Sequence, residues 1–308
     1  MSVPIPKETP TVVTKHCDTV PEFLRLLSPR SELFEGDTFG PGTWLYRGHS
    51  DAAFRLVPSA LRENSGLLRL FVDGGFQTTE EQIIGEIHAL ALFFKSADQA
   101  GLMIPEDSQT MRTLLDGDGN YPIIEWPPDE LLSLMAIAQH HGLPTRLLDW
   151  TRNPLKAAYF AASSSEAANR SGRLGVWVMS RYLFAMPKWG APLRVVTAPS
   201  STNPNLRAQE GVFTRPRPIP LTKSPVDRRP LDEIVEEELV KFSPLGTSLF
   251  HLTLPVEDGG RLLWELARDG IVRSQLFPDY NGVAAGMLEA KRFDRQPAEW
   301  IKKKQKDR

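Results

Sequence analysis

Three short segments of the chain combine residue types that could bind an anion or catalyse a reaction. The first is Tyr46-Arg47-Gly48-His49-Ser50. Its pattern places Arg47 at the end of a predicted strand, where a planar guanidinium can bind phosphate or carboxylate through two parallel hydrogen bonds. Gly48 has no Cβ, so a ligand can approach the backbone closely. The alternative is a structural role, in which Arg47 joins two loops through backbone carbonyl groups.

The second segment runs from Gln139 to Thr151. We expect His140 and His141 at the C-terminal end of a helix, where the helix dipole favours a protonated imidazole. Either histidine could then act as an acid or donate to an anionic ligand. Neighbouring helical residues point in different directions, and the i, i+4 spacing of a helical zinc pair is absent, so no metal site is predicted.

The same segment continues with Thr145, Arg146 and Asp149, which offer a hydroxyl, a guanidinium and a carboxylate to a ligand. Arg146 and Asp149 are three positions apart and lie on opposite faces if the segment is a strand. The structural alternative is a buried histidine bonded to a backbone carbonyl, with an Arg146–Asp149 pair that fixes the turn.

The third segment, Arg207 to Thr214, contains Gln209 and Glu210 before a short apolar stretch. The Glu210 carboxylate could stabilise positive charge in a transition state or bind a sugar hydroxyl. The alternative is an ordinary solvated charge at the start of a strand.

Composition excludes several classes of protein. The 308 residues include 26 prolines and one cysteine, which excludes an internal disulfide framework and disfavours a coiled coil. The net charge is −2, from 36 basic and 38 acidic residues, so a basic field over the whole molecule is absent. Neither a signal peptide nor an apolar run long enough to span a membrane occurs, which predicts a cytoplasmic protein without a membrane partner.

Hydrophobic periodicity and turn residues predict the elements that position these segments. The predicted helices are 20–27, 79–97, 129–141, 154–162, 261–269 and 283–291. The predicted strands are 44–48, 145–150, 172–180 and 249–254. Strands and helices do not alternate regularly, so we predict an α+β fold, a single mixed domain with a mainly antiparallel central sheet and flanking helices.

The predicted domain covers residues 16–292, with a flexible lead-in at 1–15 and a basic tail at 293–308. Residues 105–128 are polar and predict a loop insertion. Residues 214–230 hold five prolines and five basic residues and predict a stiff, extended connector. The connector and the tail are the candidate contacts for nucleic acid.

Taken together, the segments resemble the FRG domain family, named for a Phe/Tyr-Arg-Gly motif. That motif is Tyr46-Arg47-Gly48 here, and the second signature is His140 to Thr151 followed by Asn153-Pro154 and Tyr159-Phe160-Ala161. Arg207 to Phe213 resembles a third signature, and Gly270-Ile271 with Leu276 to Gly282 resembles a fourth. The resemblance covers roughly residues 17–290.

The order of motifs is also similar, more loosely, to the ADP-ribosyltransferase fold. That likeness implies NAD as co-substrate, with catalytic roles for Arg47, His141 and Glu210. The residues implied to contact the cofactor are Arg47, Gly48, His140, Thr145, Arg146, Asp149 and Gln209. The chain departs from the late acidic motif, since Gln209-Glu210-Gly211 is not a Gln-x-Glu pattern.

Two hypotheses of function follow. One is an enzyme that binds a nucleotide such as NAD and transfers ADP-ribose, with a toxin or phage-defence effector as its cellular role. The other is a non-enzymatic module that binds a phosphorylated ligand or nucleic acid.

Overall fold

A mixed sheet of seven strands organises the fold. The structure is a computed structural model that describes residues 12–34, 44–62, 76–116, 122–163, 171–180, 193–198, 203–239 and 249–293. The strands are β1 Val12–His16, β2 Trp44–His49, β3 Glu125–Trp126, β4 Leu148–Thr151, β5 Arg173–Ser180, β6 Leu193–Val196, β7 Gly211–Pro216, β8 Ile219–Pro220 and β9 Leu249–Pro255.

Ten α-helices are assigned within the described residues. They are α1 Val20–Leu27, α2 Thr79–Gln99, α3 Gln109–Leu115, α4 Leu132–His140, α5 Pro154–Ser163, α6 Pro204–Ala208, α7 Leu231–Leu239, α8 Gly259–Arg268, α9 Arg273–Leu276 and α10 Tyr280–Phe293. Within those residues, no helix is long and apolar enough to cross a membrane.

The large sheet has the order β1-β9-β5-β2-β4-β7-β6, and β3 pairs with β8 in a separate ribbon. Only β1 and β9 are parallel, since every other neighbouring pair in the large sheet is antiparallel. This confirms the predicted α+β class and the mainly antiparallel sheet.

Two hydrophobic clusters cover opposite faces of the central strands. On one face, Val176 and Val178 of β5 and Leu252 of β9 pack with apolar residues of α1, α5 and α8. On the other face, Leu45 and Trp177 pack with Leu231 and Val235 of α7. Alternate strand residues point to opposite faces, so β2 carries Leu45, Arg47 and His49 on the α7 side.

A third cluster joins α2 and α4 beside the sheet. Helix α2 begins with a capping box in which Thr78 accepts from the backbone of Glu81 and Glu81 accepts from the backbone of Thr78. Thr79 and Gln82, one residue later, have the same spacing as a capping box in the sequence. Both of those side chains are instead buried.

Three predictions on domain organisation differ from the structure. Residues 12–15 belong to strand β1, which pairs with β9, so the lead-in is not flexible throughout. The predicted loop at 105–128 contains α3 and β3. The connector at 214–230 begins within β7 and contributes β8, and Arg215 in it is buried. Residues 1–11 and the tail from 294 lie outside the described residues.

Candidate functional site

A cavity of about 630 Å³ lies at the neighbouring ends of β2 and β4. Two of the three sequence segments reach it through Arg47 and Asp149, and the third reaches it through Gln209. Its lining residues are Tyr46, Arg47, Gly48, His49, Ser50, Ala53, Phe54, Arg55, Val57, Arg62, Asp149, Trp150, Thr151, Phe160 and Gln209.

Arg47 is fixed in the wall of this cavity by two strong hydrogen bonds. Its Nη1 donates to the Asp149 carbonyl oxygen at 2.6 Å, and its Nε donates to Nε2 of His49 at 2.8 Å. The carboxylate of Asp149 is 3.5 Å from the same Nη1. Nη2 has no hydrogen-bond partner among the described residues. Burial lowers the pKa of Arg47, and Asp149 opposes that shift, so an anion in the cavity would meet a poorly solvated cation.

His49 holds the Arg47 guanidinium in a defined orientation. Burial lowers the pKa of His49 well below its ordinary value, and the charge of Arg47 lowers it further. The ring is therefore neutral, and because Nε2 accepts from Arg47, Nδ1 carries the proton. Nδ1 lies 3.1 Å from the carbonyl oxygen of Phe54, to which it donates.

Arg62 brings a second guanidinium to the cavity. Its Nε donates to the Val57 carbonyl oxygen at 3.1 Å. Burial and then the nearby charge of Arg47 lower the pKa of Arg62. An anionic ligand close to both cations would relieve this repulsion.

Asp149 is the only carboxylate among the described residues that line the cavity. Its side chain is 60% exposed, and Oδ1 accepts from Nε2 of Gln139 at 2.7 Å. Beyond it, the Thr151 hydroxyl donates to the Gln209 carbonyl oxygen at 2.7 Å, and Gln209 Nε2 donates to the carbonyl oxygen of Leu276 at 3.2 Å. These bonds tie the third segment to the end of β4.

Gly48 lines the cavity, but its missing side chain is required by helix packing. A Cβ built at Gly48 would lie 2.0 Å from the Ala157 carbonyl oxygen and 2.6 Å from the Ala161 nitrogen, both in α5. Close approach of α5 to β2 therefore explains this glycine without a ligand.

Glu210 lies in a neighbouring cleft and not in the cavity that contains Arg47. Its Oε1 accepts from Lys156 Nζ at 2.7 Å and from Asn153 Nδ2 at 3.2 Å. Burial raises the pKa of Glu210, but the bonds from Lys156 and Asn153 outweigh that effect and lower it overall. The backbone of Glu210 has a positive φ of 50°, which directs the chain from α6 into β7.

The two histidines lie at the C-terminal end of α4, and neither lines the Arg47 cavity. Nε2 of His140 is 2.7 Å from Nδ2 of Asn205, which donates to it. Partial burial and the neighbouring His141 lower the pKa of His140, against the rise that the helix end predicted. His141 is exposed.

Thr145 and Arg146 are buried away from the Arg47 cavity. The Thr145 hydroxyl donates to Oε1 of Gln139 and accepts from the backbone nitrogen of Leu147. Arg146 pairs with Glu86 of α2, with its Nε 2.9 Å from Glu86 Oε2. The Arg146–Asp149 pair of the structural alternative does not form, because Arg146 is bound to Glu86 and the Asp149 carboxylate lies near Arg47 and Gln139.

Three of the five basic residues of the connector are bonded within the fold. Arg215 binds the Asp129 carboxylate, and Arg229 binds Asp227 and Glu237. Arg228 donates to the carbonyl oxygens of Leu61 and Phe76. Carboxylates therefore neutralise two of the connector's five positive charges, which reduces the charge that it offers to a phosphate backbone.

Sequence reasoning assigned no role to His49 or Arg62, two of the residues that define the cavity. His49 follows Arg47 by two positions, so the strand alternation alone places both on one face. Arg62 carried no such signal, because its approach depends on how residues 51–62 fold back over the sheet. No metal site of three or more His, Cys, Asp or Glu side chains forms within the part of the chain that the structure describes.

A family model described as an FRG domain matches residues 42–170. The match includes Arg47, Gly48 and the whole segment from His140 to Thr151. The segments around Gln209 and Leu276 lie outside it, so the match is shorter than the extent of 17–290 that their resemblance implied. No curated protein and no solved structure matches the chain.

Proposed function

Since residues 42–170 are an FRG domain, we propose that the Arg47 cavity in this domain binds a nucleotide such as NAD through its phosphate groups. The observation that carries the proposal is the pair of guanidinium groups of Arg47 and Arg62 in one cavity. Arginine is suited to phosphate because its planar fork makes two parallel charge-assisted hydrogen bonds.

The charge balance of the cavity supports an anionic ligand. Arg55 also lines it, but its charge is paired with Asp232 and with Glu233 of α7. Arg47 and Arg62 then face the single carboxylate of Asp149. A diphosphate would neutralise this excess and replace the solvation that burial removes.

The size and the walls of the cavity support a nucleotide over a free phosphate ion. Its volume of about 630 Å³ falls within the range of small-molecule and cofactor sites. Phe54 is 48% exposed and Phe160 is partly buried, so both rings can contact a base. The geometry favours such a small molecule over nucleic acid, because two of the connector's arginines, Arg215 and Arg229, are already paired with carboxylates.

ADP-ribose transfer is the second candidate function, and the observation that favours it is the carboxylate of Asp149 beside Arg47. In this reaction the C–N glycosidic bond of NAD breaks and nicotinamide leaves with the electron pair. A carboxylate stabilises the oxocarbenium-like ribose, and the acceptor forms the new bond and releases its proton. Glu210, which the resemblance assigned to this role, is bound to Lys156 in the neighbouring cleft.

Calorimetric titration of the full chain with ADP, NAD and adenosine tests the proposal. We expect ADP and NAD to bind and adenosine to bind at least about tenfold more weakly, because it lacks the charged phosphates. Equal affinity for ADP and adenosine, or no heat with either at millimolar concentration, would contradict nucleotide binding.

A nicotinamide-release assay with NAD and cell extract tests the transfer step separately. Release that is lost in Asp149→Asn but kept in Glu210→Gln would support Asp149 as the acting carboxylate. The role as a toxin or phage-defence effector stays a prediction, tested by whether expression is toxic and whether Arg47→Ala relieves that toxicity.

A further inference from the structure

A second cavity, of about 340 Å³, lies between the Pro-rich connector and α7. Its walls are largely apolar and come from distant parts of the chain. They include Leu61, Leu148, Leu193, Ile219, Leu231 and Ile234. Arg146 also lines it, although a buried arginine is an unusual wall for an apolar space.

Arg146 has an unsatisfied hydrogen-bond donor. The residue is 3% exposed, and its Nη2 is buried without a hydrogen-bond partner among the described residues. Its Nε lies 3.0 Å and 2.9 Å from the two carboxylate oxygens of Glu86. The ion pair therefore uses only one end of the guanidinium.

The Glu86 carboxylate is already bonded to several donors and does not accept from Nη2 of Arg146. Besides Nε of Arg146, its oxygens accept from Gln82 Nε2 at 2.8 Å and from Trp126 Nε1 at 2.6 Å. Buried donors are almost always paired in folded proteins. Since Arg146 lines the cavity, its unpaired guanidinium nitrogen indicates an acceptor from outside the chain.

The other polar groups of the cavity are already bonded. Thr214 Oγ1 accepts from Trp150 Nε1 at 3.0 Å, and Thr79 Oγ1 donates to the Pro225 carbonyl oxygen at 3.2 Å. Asp227 lines the cavity too, but both of its carboxylate oxygens accept from Arg229. The cavity therefore contains one unpaired donor residue, Arg146, among largely apolar walls. A ligand that fits it needs one hydrogen-bond acceptor.

We propose that this cavity is a second small-molecule site, distinct from the Arg47 cavity, for a compact apolar molecule with one carbonyl or carboxylate oxygen. The oxygen accepts from Arg146, and the apolar body fills the space between α7 and the connector. A nucleotide does not suit this site, because Arg229, the only other cation among its described lining residues, is paired with Asp227 and Glu237. The cavity also has only about half the volume of the Arg47 cavity.

Ligand-observed fluorine NMR on the full chain tests the proposal, with para-trifluoromethylbenzoate as the probe and benzotrifluoride as the analogue without an acceptor. We expect saturable binding of the benzoate and at least about tenfold weaker binding of benzotrifluoride, since only the first satisfies Arg146. No saturable binding of the benzoate, or equal binding of both probes, would overturn the proposal.

Substitutions in the cavity walls test whether the benzoate binds in this cavity. Ile234→Trp and Ile219→Trp place a large ring in the space from opposite walls, and each should weaken the benzoate at least about tenfold. Leu288→Trp on exposed α10 is the matched control, and Arg47→Ala tests whether the probe uses the other cavity; neither should change binding. If both filled variants unfold cooperatively like the wild type yet bind the benzoate normally, or if Arg47→Ala abolishes binding, the second site does not exist.

Discussion

The orientation of Arg47 is set by two neighbours that use different parts of its side chain. The carbonyl oxygen of Asp149 holds Nη1 and the neutral ring of His49 holds Nε, while Nη2 has no hydrogen-bond partner among the described residues. A guanidinium held in this way loses little conformational entropy when a phosphate binds. His49 therefore acts as a positioning residue for ligand binding.

A substitution of His49 tests this positioning role. His49→Phe keeps an aromatic ring but removes the acceptor for Arg47 Nε, so we expect the dissociation constant for ADP to rise by about five- to tenfold. His49→Gln, whose amide oxygen can accept the same bond, should restore most of the affinity. Titration calorimetry on each variant measures the change.

His141→Phe is the matched control, because His141 is exposed and does not line the cavity. Its affinity for ADP should equal that of the wild type. A His49→Phe variant that binds ADP normally would show that Arg47 needs no acceptor at Nε.

At the scale of single residues, sequence spacing predicted part of the site. Arg47, Gly48 and Asp149 lie together because each adjoins the end of a strand that the pattern located. Gln209 reaches them from the end of α6, a helix that the pattern did not locate. Glu210 differs from its neighbour Gln209 because its positive φ turns the chain and Lys156 captures its carboxylate. Neither effect has a signature in the local sequence.

At the scale of elements, the packing of α5 on β2 depends on Gly48. The Ala157 and Ala161 backbone atoms occupy the space that any side chain at this position would need. The run of small residues in α5 lets the helix approach this closely, and all of its alanines are buried.

Gly48→Ala should therefore destabilise the protein. The added methyl group would force α5 away from the sheet, and we expect a loss of about 3 kcal/mol in the free energy of unfolding. Urea denaturation followed by circular dichroism measures it.

Gly286→Ala in α10 is the matched control, since a Cβ there meets its nearest atom at an ordinary 3.4 Å. Alanine also favours the helix over glycine, so this variant should be neutral or slightly stabilised. Equal stability of the two variants would contradict the packing argument.

The Glu86–Arg146 pair connects α2 to the segment before β4, and both side chains are almost completely buried. Glu86→Ala leaves a buried guanidinium without its partner, so we expect a loss of about 3–5 kcal/mol in the free energy of unfolding. The exposed Arg25–Glu32 pair supplies the control, because Glu32→Ala should cause no measurable loss. The same urea denaturation assay compares them, and a Glu86→Ala variant as stable as Glu32→Ala would refute a structural role for the pair.

Sequence patterns located six of the ten helices and four of the nine strands of the described residues to within a few residues. They succeeded there because periodicity and capping are local. The start of α2 at its capping box and the start of α5 at Asn153-Pro154 follow from such signals. Strand β1 was missed because its partner β9 lies more than two hundred residues along the chain. Its five residues also alternate too weakly to indicate a strand without that partner.

At the scale of the whole molecule, a buried histidine in the sheet makes the stability of the protein depend on pH. His251 on β9 stacks on Trp177 of β5 with ring centroids 4.1 Å apart, and its Nε2 is buried without a partner among the described residues. Burial lowers the pKa of His251 to about 4. The unfolded chain binds a proton at this side chain near pH 6.5, while the folded protein does not until about pH 4.

The free energy of unfolding should therefore fall as the pH drops from about 6.5 to 4. We expect His251 to account for about 2 kcal/mol of the loss between pH 7.5 and pH 5. His251→Phe keeps the stacked ring and removes the titration, so the variant should lose about that much less than the wild type. Urea denaturation of both proteins at the two pH values checks this, and parallel losses would contradict it.

The structural role of the connector's prolines becomes visible only in the folded molecule. Five of the 26 lie in the connector, which the sequence alone describes as a spacer. In the structure this stretch forms β8 and one wall of the second cavity, and its arginines bind groups inside the fold. Composition predicts stiffness there, but the surface on which the stiff segment lies depends on tertiary contacts.

The central claim is that Arg47 binds the phosphates of a nucleotide in the Arg47 cavity. Its most direct test is a calorimetric titration of ADP into the wild type, Arg47→Ala and Arg25→Ala, where Arg25 is an exposed arginine outside the cavity. We predict that ADP binds the wild type and Arg25→Ala equally, and that Arg47→Ala weakens binding by about ten- to hundredfold. Equal ADP affinity in all three proteins would contradict the claim.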